Sequence, residues 1–437
     1  MNSKFLSLGA AFLSLWCALA PSARAAGLTF VTNLYSVGNS PKFVTAADVN
    51  GDGKPDLISA NSLAGTLSIL TNNGAGVFGS NATLTVGSAP SFVLAADING
   101  DGKTDLISAN TGDNSLTVYT NNGKGVFVLS ATLTAAVTSP FALAAANVYG
   151  DGKMALICAN NTVGNLTVFS NNGAGLFTPQ NSWGVGNSPE CVVAVDVNGD
   201  SKPDLITANY GDGTLSILTN NGAGLFSFST TNIFVGTNVD CLQAVDINGD
   251  GKLDLVCGTS QAILVLTNNG HGTFATYATV ALTSPATSVV VADFNGDGKL
   301  DLACAEGYNN SVQIFTNNGS GGFGINTTLM FTTLVDSLTV ADVNGDNLND
   351  LITANANTPG TLTVLTQAGA ARPVLKISRP ALNSIVVSWA SSSSSFVLQT
   401  NKSLATTNWV PVTLTGTNQS VTLTPPPPGT LYFRLQN

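Results

Sequence analysis

Charged side chains are scarce in this 437-residue chain: Asp, Glu, Lys and Arg together make up 9% of it. Nucleic-acid binders need a basic, aromatic-studded surface, and nothing here supplies one. Histidine is scarcer still, with His271 the single copy. No ligand spacing of the zinc kind surrounds it, and no motif places a nucleophile beside it. His271 stands in Asn268-Asn-Gly-His-Gly-Thr-Phe274, at a turn position held elsewhere by Ala, Lys or Ser, so it reads as an exposed turn residue. Phosphate-binding glycine loops are absent too, because each Gly-x-Gly belongs to a hairpin and not to a strand-to-helix junction. No enzyme is expected. After residue 25 no apolar run is long enough to cross a bilayer, and no segment carries the apolar period of an amphipathic helix.

What is abundant is glycine, asparagine and threonine, a composition for many strands joined by tight turns. The first 25 residues stand apart. Lys4 opens a short positive region, an apolar run covers Phe5 to Ala20, and Ala23-Arg24-Ala25 fits a small-x-small cleavage site. This predicts a secretory signal peptide cut after Ala25 and an extracellular or cell-surface protein. Trp16 occupies the place where lipid attachment at Cys17 would require a small residue. Five cysteines follow: Cys158, Cys191, Cys241, Cys257 and Cys304. An odd count leaves at least one thiol unpaired. Cys158, Cys257 and Cys304 share a repeat position with Ser59, Ser108, Thr207 and Thr353, and Cys191 and Cys241 share another. Residues exchanged with Ser and Thr read as small buried thiols, in preference to one or two bridges.

The repeat is the dominant feature. Asp48-Val-Asn-Gly-Asp-Gly-Lys-Pro-Asp56 recurs from Asp97, Asn147, Asp196, Asp246, Asp293 and Asp342, at intervals of 47 to 50 residues. After each copy come a short apolar strand such as 57–60, a variable loop and an alternating strand such as 66–70. The turn Asn72-Asn-Gly-Ala-Gly-Val-Phe78 follows, where Asn-Gly would supply the positive φ of a hairpin. Its seventh copy is degraded to Gln367-Ala-Gly-Ala370. A fourth strand leads to the next unit. Four short strands per unit of this length predict a β-propeller blade, and seven units predict seven blades. Residues 28–37 match a fourth strand, which the seventh unit lacks, so the N-terminal strand is expected to close the ring.

The unit resembles the FG-GAP or VCBS repeat of integrin α-subunit propellers and some fungal lectins, over roughly residues 27–370. The resemblance implies an all-β, seven-bladed propeller for residues 26–370. From 371 to 437 glycine falls and Ser and Pro rise. Strands can be read at 374–379, 383–389, 395–400, 408–415, 419–424 and 430–435, a pattern that resembles a small fibronectin-III-like β-sandwich.

Each nine-residue loop offers side-chain oxygens at positions one, three, five and nine and a backbone carbonyl at seven, a donor set that suits Ca²⁺. The expected ligands are Asp48, Asn50, Asp52, Asp56 and the Lys54 carbonyl; Asp97, Asn99, Asp101, Asp105 and Lys103; Asp196, Asn198, Asp200, Asp204 and Lys202. They continue as Asp246, Asn248, Asp250, Asp254 and Lys252; Asp293, Asn295, Asp297, Asp301 and Lys299; Asp342, Asn344, Asp346, Asp350 and Leu348. The third loop, with Asn147, Tyr149 and Ala155, is expected to stay empty. Beyond Ala25 the chain has 13 basic and 25 acidic side chains, and six loops with three carboxylates each would engage 18 of those acids. Six Ca²⁺ ions would offset the net charge.

Calcium loops and Asn-Asn-Gly turns fall on one face of such a disc. Asp113, Asp212, Glu306, Glu190, Asp240 and Asp336 map to the other. Glu190, Asp240 and Asp336 share one repeat position near the mouth of the central channel, where blade 1 has Lys42; Tyr210 and Tyr308 lie in loops of the same face. This face is the candidate site for a protein or glycan partner; the plainer alternative is that a soluble disc needs solvated charge somewhere. The sequence thus favours a secreted, monomeric adhesion or protein-interaction module. A carbohydrate-binding lectin is the alternative, and a polysaccharide-active enzyme a more distant one.

Overall fold

The computed structural model describes residues 28–228 and 232–368, together with six C-terminal strands. The expected signal peptide, and the boundary at 370/371, lie outside the described residues.

Seven antiparallel sheets repeat one pattern. In blade 1 the strands are Pro41–Ala47, Asp56–Asn61, Thr66–Asn72 and Phe78–Thr85, hydrogen-bonded in that order. The first strand of each blade touches the first strand of the next, and Val335–Ala341 of blade 7 touches Pro41–Ala47, so the seven close a ring. The protein is a seven-bladed β-propeller. Blade 7 takes its outermost strand from the N-terminus: Phe30–Ser36 pairs with Thr361–Gln367, Phe30 opposite Gln367 and Ser36 opposite Thr361. Sharing a blade between both chain ends leaves no open seam.

Burial follows from position in the blade. Second strands such as Asp56–Asn61 are buried at every residue, while outer strands such as Phe78–Thr85 expose alternate side chains. The core lies between blades. Ile58, Leu67 and Ile69 of blade 1 pack against Val93, Leu106 and Tyr119 of blade 2, and equivalent clusters fill the other junctions. β-Branched and leucine side chains suit these half-flat surfaces, which explains the composition.

One detail bears directly on the site. In six blades the innermost strand slips register between its first and third residues. The second residue is thereby left out of the ladder; these are Lys42, Ser91, Phe141, Glu190, Thr287 and Asp336. A bulge of this kind re-aims its side chain. Asp240 holds the equivalent place just before Cys241–Val245.

The C-terminal strands form two three-stranded sheets. One is ordered Leu375–Ala381, Ser384–Trp389, Ser420–Leu423; the other is Val410–Pro411, Val397–Asn401, Tyr432–Gln436. Apart from Val386 and the buried Val387, the side chains that would define a sandwich between them lie outside the described residues.

Candidate functional site

Each intact nine-residue loop is wound on its own backbone. Asp48 Oδ1 accepts from Gly51 N at 2.7 Å and Oδ2 from Gly53 N at 2.7 Å. Asn50 Oδ1 accepts from Asp52 N, and Asp52 Oδ1 from Lys54 N. The same bonds recur in the loops at 97, 196, 246, 293 and 342. The winding needs a left-handed residue at position six. Ser201 and Asn347 adopt it at φ 65° and 63° where other loops use glycine.

Position nine does something else as well. Asp56 is fully buried, and its two oxygens accept from Val49 N at 3.1 Å and Asn72 N at 2.8 Å. Asp105, Asp204, Asp254, Asp301 and Asp350 repeat this. Burial pushes Asp301 and Asp350 up to about 6, against the opposing pull of these N–H groups. At position seven the lysine ammonium meets the position-five carboxylate, Lys54 with Asp52 at 3.3 Å and likewise at 103, 202, 252 and 299. All four side-chain donors are hard oxygens, the right type for a hard cation. Among the described residues, however, no three Asp, Glu, His or Cys side chains close on one point tightly enough to hold a metal ion. The loops fit such an ion in donor chemistry and in winding, with the carboxylates still standing apart.

Next to the loops lies a blade-to-blade staple. Asn72 Nδ2 donates to the carbonyls of Pro55 in its own blade and Val343 in blade 7. Asn121, Asn171, Asn220, Asn268 and Asn317 make the equivalent bonds to Val49, Ile98, Val148, Val197 and Ile247 of the preceding blade. Gln367 closes the set through Phe294 O at 2.9 Å. Sequence reasoning assigned these asparagines to the turn only. The overlooked signal was that blade 7 loses the Asn-Asn-Gly turn yet retains an amide, as Gln367. The positive φ values of the turn sit on its two glycines, Gly74 at 88° and Gly76 at 70°, and not on the asparagines.

The third loop is filled differently. The Tyr149 ring lies against Gly224 of blade 4, where any Cβ would collide with it. Ala155 replaces the buried position-nine aspartate, and Val148 N turns to Ala146 O instead.

On the opposite face the bulged residues surround the channel mouth. Lys42 Nζ and Asp336 Oδ1 form an ion pair of 3.1 Å across the junction of blades 1 and 7. Glu190 and Asp240 lie near each other across blades 4 and 5, and Asn161 Nδ2 donates to Glu190 Oε1 at 3.1 Å. Burial pushes Glu190 up to about 8, and the Asp240 charge adds to it; burial likewise raises Asp240. Burial draws Lys42 down, but the Asp336, Asp240 and Glu190 carboxylates outweigh it and hold Lys42 above the usual lysine range. The Tyr210 hydroxyl is raised by burial and by the charges of Asp240 and Glu190, and Tyr308 also acts on it. All five partner-site candidates therefore belong to one neighbourhood, which also includes Lys42.

FG-GAP-like repeats match residues 48–108, 97–157, 147–207, 196–257, 246–304 and 293–353, most of the chain. The chain belongs to the FG-GAP-like repeat family. Among solved structures, BBS1N in complex with ARL6DN, soaked with mercury, has TM-score 0.58 and 14% identity, covering 80% of this chain and 99% of that one. A protein from Lactobacillus plantarum has TM-score 0.52 and 11% identity over 68% of this chain and 86% of that one. An Agrocybe aegerita lectin has TM-score 0.48 and 20% identity over 75% and 85%. No curated protein matches the sequence.

Within the FG-GAP-like units, one acid expected on the surface is not there. Glu306 is fully buried and accepts from Thr283 N, Asn309 Nδ2, Ser311 Oγ and Gln313 Nε2. It replaces an asparagine, such as Asn61, that bridges the second and third strands elsewhere. His271 is exposed in its turn. The five cysteines are free thiols, with Cys158, Cys257 and Cys304 buried. Blade 6, where Gly322 replaces the valine, leucine or threonine of other units, has an open cleft of about 580 Å³ lined by Asn295, Asp297, Lys299, Asn318 and Phe323 among others.

Proposed function

We propose that this protein is a secreted interaction module. Its loop face takes a hard divalent cation such as calcium, about one per intact loop, and its opposite face binds a partner in an adhesive setting. The observation that carries this reading is the one-sided placement of the lysines. Of the lysines with described side chains, Lys54, Lys103, Lys124, Lys153, Lys202, Lys252 and Lys299 all belong to the loop-and-turn face, and only Lys42 lies on the other. The partner face has a ring of bulged side chains at its centre and Tyr308 exposed at 87% beside it. BBS1N, which shares the fold, was crystallised in complex with ARL6DN, which favours a protein as the class of partner.

In the cation reading, Asp48, Asn50, Asp52 and the Lys54 carbonyl would hold the ion with Asp56, and the other five loops would do so equivalently. The ion supplies positive charge among three carboxylates that the sequence places on one short loop. Asp56 also fixes the strand behind the loop. The work of this chain is positioning, and no catalytic step is assigned to it.

Two measurements test the reading. Thermal melts with calcium and with EDTA should differ by many degrees, and coincident melts would refute the cation half. For the partner half, crosslinking to extracellular proteins should give a product that Tyr308→Ala and Leu63→Asp weaken; a product indifferent to both would move the site elsewhere. A glycan reading has one observation of its own, the blade 6 cleft with Phe323 and Asn318 on its wall. A glycan array in millimolar calcium, with Asn318→Ala as the control, decides it.

A further inference from the structure

We propose that Asn318, in the blade 6 turn, is a site of self-modification: its side-chain amide leaves as ammonia, and position 318 becomes aspartate or isoaspartate. The step needs neither a partner nor a bound cation, only water. The Gly319 backbone nitrogen attacks Asn318 Cγ, the N–Cγ bond forms and the Cγ–Nδ2 bond breaks. Ammonia departs with the proton that the glycine nitrogen gives up. Water then opens the cyclic imide at either of its carbonyls, which yields the two acids.

Asparagine is a thermolabile residue, most of all before glycine, which puts no side chain in the way of the attack. Such a pair stands in every intact loop and in every Asn-Asn-Gly turn. In all of them the glycine N–H is already engaged. Gly51 N donates to Asp48 Oδ1 at 2.7 Å, and the other loops do the same. In the turns Gly74 N donates to Asn72 Oδ1 at 2.9 Å, and Gly123, Gly173, Gly222 and Gly270 repeat this bond. A nitrogen whose proton is held in this way is slow to attack. Each staple asparagine therefore shields its neighbour as well as joining two blades.

Blade 6 is where the shield is weakest. Gly319 N keeps its bond to Asn317 Oδ1 at 2.8 Å, but Asn317 Nδ2 lies 3.5 Å from Ile247 O, against 2.6 to 2.9 Å in the other asparagine staples. Gly76 N, Gly125 N and Gly224 N tie the turns of blades 1, 2 and 4 to the preceding blade, and Gly321 N makes no such bond. Gly319 is exposed where Gly74, Gly123, Gly173, Gly222 and Gly270 are half-buried. Gly322 adds slack to the turn, and its bare Cα leaves space for the amide, since a Cβ there would collide with Asn318 Nδ2. Asn318 also lines the open cleft of about 580 Å³, which brings water to it.

Lys299 favours the attack. Its Nζ donates to Asn318 O at 2.9 Å, a bond that no other turn receives from a lysine among the described residues. That oxygen belongs to the peptide whose nitrogen attacks, and negative charge develops on it as the proton leaves. A cation already placed there stabilises that charge. The product carboxylate stands on the wall of a cleft that also holds Lys299, so the step adds a charge to the surface of blade 6.

The test incubates the freshly purified full chain in neutral calcium buffer made with heavy-oxygen water and maps its peptides by mass spectrometry at intervals. Digestion is done in ordinary water, so that conversion during digestion carries no label. Asn318 should convert several-fold faster than Asn73, Asn122, Asn172, Asn221 or Asn269, and should yield labelled aspartate and isoaspartate together. Lys299→Met should slow the conversion several-fold at unchanged melting temperature. Gly322→Val, which restores the residue of blades 1 and 2, should slow it as well, and Asn317→Ala should speed it. Conversion of Asn318 no faster than that of the other turn asparagines overturns the proposal. Labelled aspartate without isoaspartate also overturns it, because direct hydrolysis of the amide gives that product alone. A rate indifferent to both Lys299→Met and Gly322→Val does so too, since the geometry of blade 6 would then not be its cause.

Discussion

Asn121 reaches across a blade boundary: its Nδ2 donates to the Val49 carbonyl at 2.7 Å. The same amide donates to Thr104 O at 2.9 Å, and Asn121 N donates to Asp105 Oδ1 at 2.7 Å. Carbonyl, amide and carboxylate thus form one chain from the loop of blade 1 to the loop of blade 2. Asn121→Ala should cost roughly 1–3 kcal/mol, because buried carbonyls lose their donor. Val49 O keeps a second donor, Gly125 N at 2.9 Å, which limits the loss. Urea unfolding of Asn121→Ala beside Lys124→Ala, an exposed control in the same turn, checks this. Equal midpoints would remove the staple from the stability argument.

The cation count is the second prediction. Six ions per chain are expected, one for each loop with its four side-chain donors, and none at Asn147, Tyr149 and Ala155. Titration calorimetry with elemental analysis gives the number. Each ion at a hundredfold excess over its dissociation constant adds about 2.7 kcal/mol to stability. Rebuilding the third loop as Asn147→Asp, Tyr149→Asn and Ala155→Asp should add one ion. A wild-type count of seven, or a rebuilt chain that gains none, contradicts this account of the loop.

A third prediction concerns pH. Glu190 and Asp240 titrate higher in the folded protein than in the unfolded chain, at about 8 and about 6. The folded state therefore binds more protons above the ordinary carboxyl range, and stability falls as pH rises through that interval. Glu190→Gln removes its share. Lys42, Asp336, Tyr210 and the Cys241 thiol face the same pair and remain in both proteins. Melting temperatures at fixed calcium should decline more steeply for wild type than for Glu190→Gln between pH 5 and pH 8.5, on the order of the range these groups span. Parallel profiles would show that Glu190 titrates normally.

Glu306 supports a fourth. Glu306→Ala strands the donors of Thr283, Asn309, Ser311 and Gln313 in a buried place, a loss of about 3 kcal/mol or more. Asp113→Ala, on the surface, should lose well under half of that. Chemical denaturation of the two variants side by side decides between a structural and a surface role for Glu306.

Sequence alone carried the repeat, the four strands of each blade and the loop donors, because each is written in contiguous residues at a fixed period. What sequence did not carry are relationships between blades. Asn121 and Val49 are 72 positions apart, and nothing in the Asn-Asn-Gly turn says that its first amide belongs to the neighbour. The bulge at Glu190 and Asp336 was equally silent, since a one-residue slip leaves no mark in composition. Glu306 misled because a charged residue in a variable loop region normally points to water, whereas here four neighbouring donors hold it inside. The placement of Glu190, Asp240 and Asp336 together was readable from their shared repeat position, but their pairing with each other and with Lys42 was not.

The closing strand has a mechanical meaning. Thr29 and Ala368 meet where the chain enters and leaves the ring, with Ala368 N bonded to Thr29 O at 2.7 Å. Because Phe30–Ser36 and Thr361–Gln367 run antiparallel, both ends emerge from the same tip of the pair. Tension between the two termini would peel that pair apart one bond at a time, as a zipper opens. Tension between one terminus and a partner on the opposite face would instead load the whole width of the disc. A tether attached at one end and a ligand held at the far face is the arrangement in which this ring resists force best.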